Sequence, residues 1–381
     1  MTRKRVYVVA RSVVFGAGAG GLERAVADQI EGLVELGWQV SLVTSRSALR
    51  GEAPCEVMDV PWPSFGRAGS PGFGIAYVQW TRRVRRVLGQ QPSAALLLHG
   101  GAAGVLTSAD EDVRHHPVLV NPHGMEEFEP GGLLRWTNRV FTRRLVRRAA
   151  YAHKVIATDA SLISRVQKNL SAPLERIVTI PNSVDIERLD ALGSLDFEGQ
   201  SADIVSVGRM NHNKGYDLLA VALGAIAREL QGRPLVWRHY GKGPEADDVA
   251  RRAADEPNLD FVQISGAPDA EVQAALHHAR VFVQPSRYEG SSLTTLEAMT
   301  QGVVCVGTPV GGIPDKLTDG ETGFLAASVS AEALQAAVRR ALCADASIGR
   351  QARQRVIDDF SSTATVRKLA AELSIETGSS A

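Results

Sequence analysis

Short runs of β-branched and apolar residues recur along this 381-residue chain, and helical stretches separate them. The first two runs, residues 5–10 and 39–44, flank a segment whose apolar residues recur at intervals of three and four positions. This succession of strand, helix and strand is typical of a parallel β-sheet. The same rhythm predicts further strands at residues 94–99, 117–123, 153–158, 176–182, 202–210, 235–241, 259–264, 279–286 and 303–308.

The polar segment 183–202 interrupts this rhythm and has no clear periodicity, so we interpret it as a linker. A chain of this length exceeds one ordinary core. We therefore predict two doubly wound α/β domains, each with a ligand crevice at the carboxyl ends of its strands. The predicted domains are residues 1–187 and 188–361, and a C-terminal helix within 362–381 is expected to pack back on the first domain.

The composition indicates a soluble globular protein, with 44% hydrophobic and 22% charged residues. No apolar run reaches the roughly 20 residues that span a bilayer. The first apolar run has about five residues and predicts a strand rather than a signal peptide. The three cysteines, Cys55, Cys305 and Cys343, lack paired spacing and suit a reducing compartment. We therefore expect a cytoplasmic location.

Charge is divided unevenly between the two halves, although the net charge is zero. Residues 1–190 carry 24 Lys and Arg against 18 Asp and Glu, whereas residues 191–381 carry 18 against 24. This excess of six charges in each half is compatible with a basic surface that faces lipid headgroups or phosphorylated substrates. It is too small to indicate a nucleic-acid partner.

Two glutamates, Glu289 and Glu297, lie eight positions apart in "PSRYEGSSLTTLEAMTQG", residues 285–302. If Glu297 lies on a helix, Glu289 lies in the loop before that helix, whose first N–H groups attract anions. The pair could line a pocket for a polyhydroxylated ligand. Alternatively, both carboxylates are solvated or cap the helix.

Two cations, Arg209 and Lys214, follow the first strand of the second half in "VGRMNHNKG". Cations at a strand end beside a helix N-terminus suit a diphosphate. A solvated loop is the alternative.

The glycine-rich segment 15–25 contains Gly16, Gly18 and Gly21 in the dinucleotide pattern G-x-G-x-x-G, and Arg46 could meet a 2′-phosphate. However, five residues separate the strand from the first glycine, and no acidic residue ends the second strand. A loop that lets the backbone approach a phosphate or sugar explains the pattern equally well.

Histidines and carboxylates in the first half suggest further sites. His123 ends a strand, where an imidazole can donate hydrogen bonds, move protons or cap the backbone, and His99 has a weaker claim. The segment 110–116 contains Asp110, Glu111 and Asp112, followed by His115 and His116. These side chains could bind a metal, but the segment better fits the acidic first turn of a helix.

A basic helix is predicted at residues 135–150. Leu134, Phe141, Leu145 and Ala149 form one apolar face, and arginines cover the remainder with Trp136 and Val140 between them. The arginines are Arg135, Arg139, Arg143, Arg144, Arg147 and Arg148. Residues 135–148 suit either an anionic membrane surface or a solvated helix face.

Together these segments resemble the family 4 glycosyltransferases, retaining enzymes of the GT-B fold. Residues 285–326 resemble the signature region of that family, in which seven residues separate two glutamates. "GRMNHNKG" resembles its diphosphate clamp, and residues 19–44 its N-terminal glycine loop and helix. "IPNSVD" resembles its inter-domain turn, with Ser183 where glycine is usual. The likeness is strong in the C-terminal half and loose between about residues 50 and 150.

The resemblance implies two Rossmann-like domains that face a central cleft, the first for the acceptor and the second for a UDP- or GDP-sugar. It implies that Arg209 and Lys214 neutralise the leaving diphosphate, that Glu297 binds the ribose, and that Glu289 faces the donor sugar. The implied catalytic residues are Arg209, Lys214, Glu289 and His123, and the implied donor-binding residues are Gly20, Gly21, Gly208, Gly290, Ser291, Ser292, Leu293 and Glu297.

The resemblance also implies transfer with retention to a lipid-linked sugar, a polysaccharide or a small metabolite, in cell-envelope glycan or glycolipid synthesis. Neither a metal nor another cofactor is expected, and the enzyme could be peripheral on the inner face of the membrane. The alternatives are a nucleotide-sugar epimerase of the same fold, an NADP-dependent enzyme and a non-catalytic sugar-nucleotide binder.

Overall fold

The computed structural model describes residues 4–16, 21–66, 70, 72–107, 117–123, 125, 128, 133–194, 202–230 and 233–374. The chain divides into two compact units. Unit 1 comprises Met1–Asn182 and Thr365–Ala381, and unit 2 comprises Ser183–Ala364. The predicted boundaries were 187/188 and 361/362.

Unit 1 is built around a parallel sheet. Its strands are β1 Arg5–Val9, β2 Val13–Val14, β3 Gln39–Thr44, β4 Leu49–Arg50, β5 Glu56–Asp59, β6 Ala95–His99, β7 Val118–Asn121, β8 Lys154–Ala157 and β9 Ile177–Thr179. Seven of them form the sheet in the order β5-β3-β1-β6-β7-β8-β9, and β2 pairs with β4 separately. Its helices are α1 Gly21–Glu35, α2 Phe73–Leu88, α3 Leu133–Val146 and α4 Ala160–Leu170, with 3₁₀ turns at Arg46–Ala48, Gly100–Val105, Arg147–Tyr151 and Leu174–Arg176.

Unit 2 repeats this architecture. Its strands are β10 Ile204–Val207, β11 Leu235–Tyr240, β12 Leu259–Ile264, β13 Val281–Gln284, β14 Val304–Gly307 and β15 Phe324–Leu325. They form one parallel sheet in the order β12-β11-β10-β13-β14-β15. Its helices are α5 Ile186–Gly193, α6 Tyr216–Glu229, α7 Ala246–Ala254, α8 Asp269–His277, α9 Leu293–Thr300, α10 Ile313–Lys316, α11 Ala331–Leu342 and α12 Ser347–Arg355, with a 3₁₀ turn at His212–Lys214 and a π-helical turn at Val356–Phe360.

The strand order reverses direction between β1 and β6 in unit 1 and between β10 and β13 in unit 2. At such a point the connecting segments leave towards opposite sides, so a crevice opens beyond the carboxyl ends of the two strands. Parallel sheets are covered by helices on both faces, so their strands are recognisable as apolar runs. Several strands predicted from the sequence extended beyond the observed strand ends into the loops that border these crevices.

The last helix, α13 Ser362–Glu372, belongs mainly to unit 1. Val366 and Leu369 are buried in the same apolar cluster as the buried face of α1. Gly32 on α1 permits this approach, because a Cβ there would lie 2.7 Å from Cγ2 of Val366. None of the described helices is both long and apolar enough to cross a membrane.

The predicted linker was wrong in part, because residues 186–193 form α5. Asp185 caps this helix by accepting a hydrogen bond from the backbone N–H of Arg188, and Leu189 is fully buried. The helix has only eight residues, too few to show a clear periodicity. The strands β2, β4, β5 and β15 were also missed, since each is only two or four residues long.

Candidate functional site

Two loops meet at the carboxyl edge of unit 2, where β10 and β13 lie side by side. The backbone N–H groups of Arg287 and Tyr288 both donate to the carbonyl of Asn213, at 2.8 and 3.1 Å. Gly215 has φ +68°, and a Cβ there would lie 2.1 Å from the carbonyl oxygen of Pro285. Only glycine tolerates both the left-handed backbone and this approach. The loop that carries Lys214 is thus fixed against the loop that carries Glu289.

Three donors converge on one oxygen of the Glu289 carboxylate. Lys214 Nζ lies 2.6 Å from Oε2, the Ser286 hydroxyl donates to it at 3.0 Å, and Gln284 Nε2 at 3.4 Å. Gln284 also donates to Ser286 Oγ at 2.8 Å. The second carboxylate oxygen, Oε1, takes part in none of these bonds. The carboxylate is therefore held by one oxygen and can present the other to a ligand.

Glu297 lies on α9 and is 9% exposed, while Glu289 lies in the preceding loop, as the spacing predicted. The helix begins after Ser292, whose hydroxyl contacts Thr295 Oγ1 at 2.8 Å and does not cap a backbone N–H. The first N–H groups of α9 therefore remain available for an anion or a sugar hydroxyl.

The loop before α9 is braced from the neighbouring chain segment. Gly312 donates its N–H to the carbonyl of Gly290 at 2.9 Å. Lys316, only 1% exposed, donates to Gly312 O at 3.0 Å and lies 3.5 Å from Ser291 Oγ. Lys316 was not singled out in the sequence, where a lysine on a short helix gives no signal of burial.

A bidentate ion pair also braces this edge. Arg287 holds Asp217, at the start of α6, through bonds of 2.6 and 2.7 Å, and contacts His212 O at 3.0 Å. The Arg287 guanidinium lowers the pKa of Asp217. Arg209 differs from these residues, because it is exposed and has no ion pair among the described residues. Its guanidinium is free to meet a ligand.

A buried hydrogen-bond chain fixes the carbonyl of Gly208, beneath the loop of Arg209. Trp237 Nε1–H donates to Ser206 Oγ at 2.9 Å, and the Ser206 hydroxyl donates to His239 Nδ1 at 2.9 Å. His239 Nε2–H then donates to Gly208 O at 3.0 Å. The sequence contains one indication of this hydrogen-bond chain, a histidine inside a predicted buried strand. Burial lowers the pKa of His239 to about 4.

This depressed pKa predicts loss of stability in acid. The unfolded chain takes up a proton at His239 below its ordinary pKa of 6.5, whereas the folded protein does so only near 4. Stability from this group is complete above pH 6.5 and falls as the pH drops towards 4, by at most about 3 kcal/mol. We expect unfolding free energies measured in urea from pH 7.5 to 4.5 to fall less steeply in His239→Gln than in the parent. The exposed His277→Gln should keep the parent slope, and equal slopes for all three proteins would contradict the assignment.

His99 and His123 meet at the carboxyl edge of unit 1. His99 Nδ1 lies 3.0 Å from His123 Nε2, and the rings stack at a centroid distance of 5.2 Å. Burial lowers the pKa of His123 to about 4, and burial together with His123 lowers the pKa of His99 well below its ordinary value. Both imidazoles are therefore neutral at physiological pH. His99 had the weaker claim from sequence alone, yet the structure pairs it with His123.

Several predicted residues lie outside the described part of the chain. These are Gly18 and Gly20 of the glycine loop and the whole group Asp110, Glu111, Asp112, His115 and His116. Gly21 is the first residue of α1.

The basic helix combines exposed apolar and cationic side chains. Phe141 was predicted on its apolar face but is 37% exposed, because it packs on one side across Gly74 of α2. Val140 is 41% exposed. Arg148 instead donates to the carbonyl of Leu106 at 2.7 Å, so it stabilises unit 1.

Both halves of the chain match known family models. Residues 201–344 match the model for glycosyl transferases group 1, and residues 20–183 match the model for the glycosyl transferase 4-like domain.

Curated relatives resemble parts of the chain in sequence, and a solved structure shares its fold. Glycogen synthase of Mycobacterium tuberculosis is 30% identical over 54% of this chain and 50% of its own length. A GDP-mannose-dependent alpha-(1-6)-phosphatidylinositol monomannoside mannosyltransferase of the same organism is 26% identical over 59% of this chain and 60% of its own. The chain thus spans about half the length of the curated relatives it matches. Anabaena HepE, solved in complex with UDP, shares the fold with a TM-score of 0.67 and 17% identity over 97% of this chain and 99% of its own.

Proposed function

Because this chain belongs to the group 1 glycosyltransferases, family 4 enzymes of the GT-B fold, we propose that it transfers a sugar from a UDP- or GDP-sugar to an acceptor hydroxyl. The family and the fold class predicted from the sequence are thereby confirmed. The proposed transfer retains the configuration at the anomeric carbon. The observation that carries the proposal is the Lys214–Glu289 pair, which places a cation and a half-free carboxylate together beside the N-terminus of α9.

We assign each part of the proposed donor to particular residues, most of which belong to unit 2. Lys214 and Arg209 neutralise negative charge that builds up on the leaving diphosphate, the term that contributes most to such catalysis. Glu297 accepts hydrogen bonds from the ribose hydroxyls. Glu289 Oε1 and the first N–H groups of α9 bind the sugar. The wider donor-binding set that we assign comprises Gly20, Gly21, Gly208, Gly290, Ser291, Ser292 and Leu293.

The acceptor proton needs no protein base in this proposal, because the departing diphosphate takes it from the incoming hydroxyl on the same face of the sugar. We assign His123 to the reacting sugar as a neutral imidazole. One of the relatives is named as a glycogen synthase, and another as a mannosyltransferase for a phosphatidylinositol monomannoside. We accordingly propose a sugar-containing acceptor of envelope glycan or glycolipid synthesis.

Retention and metal independence are tested together. Arg209 and Lys214 neutralise the charge of the diphosphate in this proposal, so activity is expected to persist in excess EDTA. A panel of UDP- and GDP-sugars should be screened by thermal shift and slow donor hydrolysis, and the linkage of the transfer product should be determined by NMR. An inverted product would refute the mechanism, and activity lost to EDTA but restored by Mn²⁺ would refute metal independence. Conversion of the donor sugar into its epimer without any acceptor, rather than its slow hydrolysis, would indicate an epimerase.

Residues 135–148 supply a proposed contact with an anionic membrane. The exposed Val140 and Phe141 lie beside the exposed Arg144, a combination that suits the headgroup region of a bilayer. The protein should co-sediment with phosphatidylserine vesicles at low salt and detach as the salt concentration rises. Phe141→Ser with Arg144→Gln should weaken this binding, whereas equal recovery from neutral and acidic vesicles would contradict it.

A further inference from the structure

A hydrogen bond joins the two imidazoles of unit 1, and the proposed chemistry does not determine which of the two rings donates it. His99 ends β6 and lies in register with Asn121, the last residue of β7, and His123 follows two residues later. The distance of 3.0 Å between His99 Nδ1 and His123 Nε2 is that of a hydrogen bond. One proton must therefore lie between these two nitrogens, on one ring or on the other.

Each position of the proton determines the tautomer of both rings. If His99 Nδ1 carries it, His123 Nε2 accepts, and a neutral His123 then bears its own proton on Nδ1. If His123 Nε2 carries it, His99 Nδ1 accepts, and a neutral His99 must then bear its proton on Nε2. The first arrangement makes the remaining nitrogen of His123 a donor, and the second makes it an acceptor.

The surroundings of His99 favour the first of these two proton arrangements. His99 Nε2 is buried without a hydrogen-bond partner among the described residues. In the second arrangement this atom would be a buried N–H donor left unsatisfied, which is destabilising because its desolvation is not compensated. In the first arrangement it is only an unused lone pair, and buried orphan donors are rarer than buried orphan acceptors. Free histidine slightly prefers its proton on Nε2, but this preference is weaker than the cost of an unsatisfied buried donor.

The backbone of His123 is also held in an unusual conformation. Its φ is +56°, in the left-handed region that few residues other than glycine adopt, although histidine occurs there more often than most. Asn121 Oδ1 accepts the backbone N–H of His123 at 3.0 Å and stabilises this turn. A strained residue braced on both its backbone and its ring is typical of a functional site.

We propose that His99 is a positioning residue, which donates its Nδ1–H to His123 Nε2 and so keeps His123 as a donor through Nδ1–H. The inference rests on the proposed function insofar as this donor addresses the reacting sugar. His123 then stabilises oxygen atoms of the sugar by hydrogen bonding, and its donor nitrogen cannot act as a general base.

The tautomer can be measured without any substrate. In the full-length protein labelled with ¹⁵N-histidine, long-range ¹H–¹⁵N correlation spectra at pH 7.5 distinguish protonated from unprotonated ring nitrogens. We expect protonated Nδ1 and unprotonated Nε2 in both His99 and His123, with the signals assigned from His99→Asn and His123→Gln. A proton on Nε2 of both rings would overturn the proposal.

Two substitutions of His99 test the consequence for transfer. The amide nitrogen of His99→Asn occupies the place of Nδ1 and still donates, whereas the carboxylate of His99→Asp can only accept. We expect kcat within about fivefold of the parent for Asn, and about 10- to 100-fold lower for Asp. His99→Asp should also move the His123 proton to Nε2 in the spectrum. The exposed His277→Asn and His277→Asp serve as matched controls.

The outcomes distinguish this inference from the proposed function. Parent protein that transfers no sugar from the donor panel would refute the function, while its spectrum would still decide the tautomer. Equal kcat for the folded Asn and Asp variants would overturn the positioning role of His99.

Discussion

Replacing Lys214 with alanine is expected to lower kcat by about 100- to 1,000-fold, the loss typical of removing one electrostatic donor to a developing anion. Negative charge on the diphosphate grows towards the transition state, so donor binding should weaken much less than turnover. The substitution also removes the shortest of the three contacts to Glu289 Oε2, at 2.6 Å. Steady-state kinetics and calorimetry with the nucleoside diphosphate measure the two effects separately.

The design of this experiment needs charge controls. Arg209→Ala should lower turnover in the same direction, since Arg209 is exposed and we assign its guanidinium to the same diphosphate. Lys214→Arg keeps the charge and should recover part of the loss, although guanidinium geometry differs from that of ammonium. Lys168→Ala, at an exposed lysine of α4, should match the parent. If Lys214→Ala and Arg209→Ala both stay within about threefold of the parent kcat, the clamp is misassigned.

Glu297→Ala is expected to weaken binding of the nucleoside diphosphate by about 10- to 150-fold. The reason is that buried ribose hydroxyls lose a charged acceptor, which contributes about 1.5–3 kcal/mol. Glu289→Gln should leave this affinity almost unchanged, because we assign its carboxylate to the sugar and not to the nucleoside. Titration calorimetry with UDP and GDP gives both values.

Circular dichroism must show that the Glu297 variant folds, because that side chain is nearly buried. Glu321→Gln provides a control at an exposed glutamate of the same unit. Unchanged affinity of a folded Glu297→Ala protein would remove the ribose role. NADP binding that survives this substitution would instead favour the dinucleotide interpretation of the glycine loop.

Local patterns in the sequence were enough to predict the architecture and the components of the candidate site. Strand and helix periodicities differ, so the succession of β-branched runs and amphipathic segments was sufficient to predict two parallel α/β units. The interval between Glu289 and Glu297 placed one carboxylate on a helix and the other in the loop before it, because loop length and helical pitch are local properties. Arg209 and Lys214 were recognisable for the same reason, as they follow a strand and precede a helix.

The contacts between these side chains depend on tertiary packing and could not be predicted from local patterns. Lys214 reaches Glu289 across 75 positions because β10 and β13 are neighbours in the sheet although β11 and β12 lie between them in sequence. His99 pairs with His123 for a similar reason, since β6 and β7 end side by side. Sheet order arises from the packing of the whole unit, which no local pattern encodes. Residues that act through such contacts, including Gln284 and His239, therefore give little signal in the sequence, where they are isolated polar residues in buried strands.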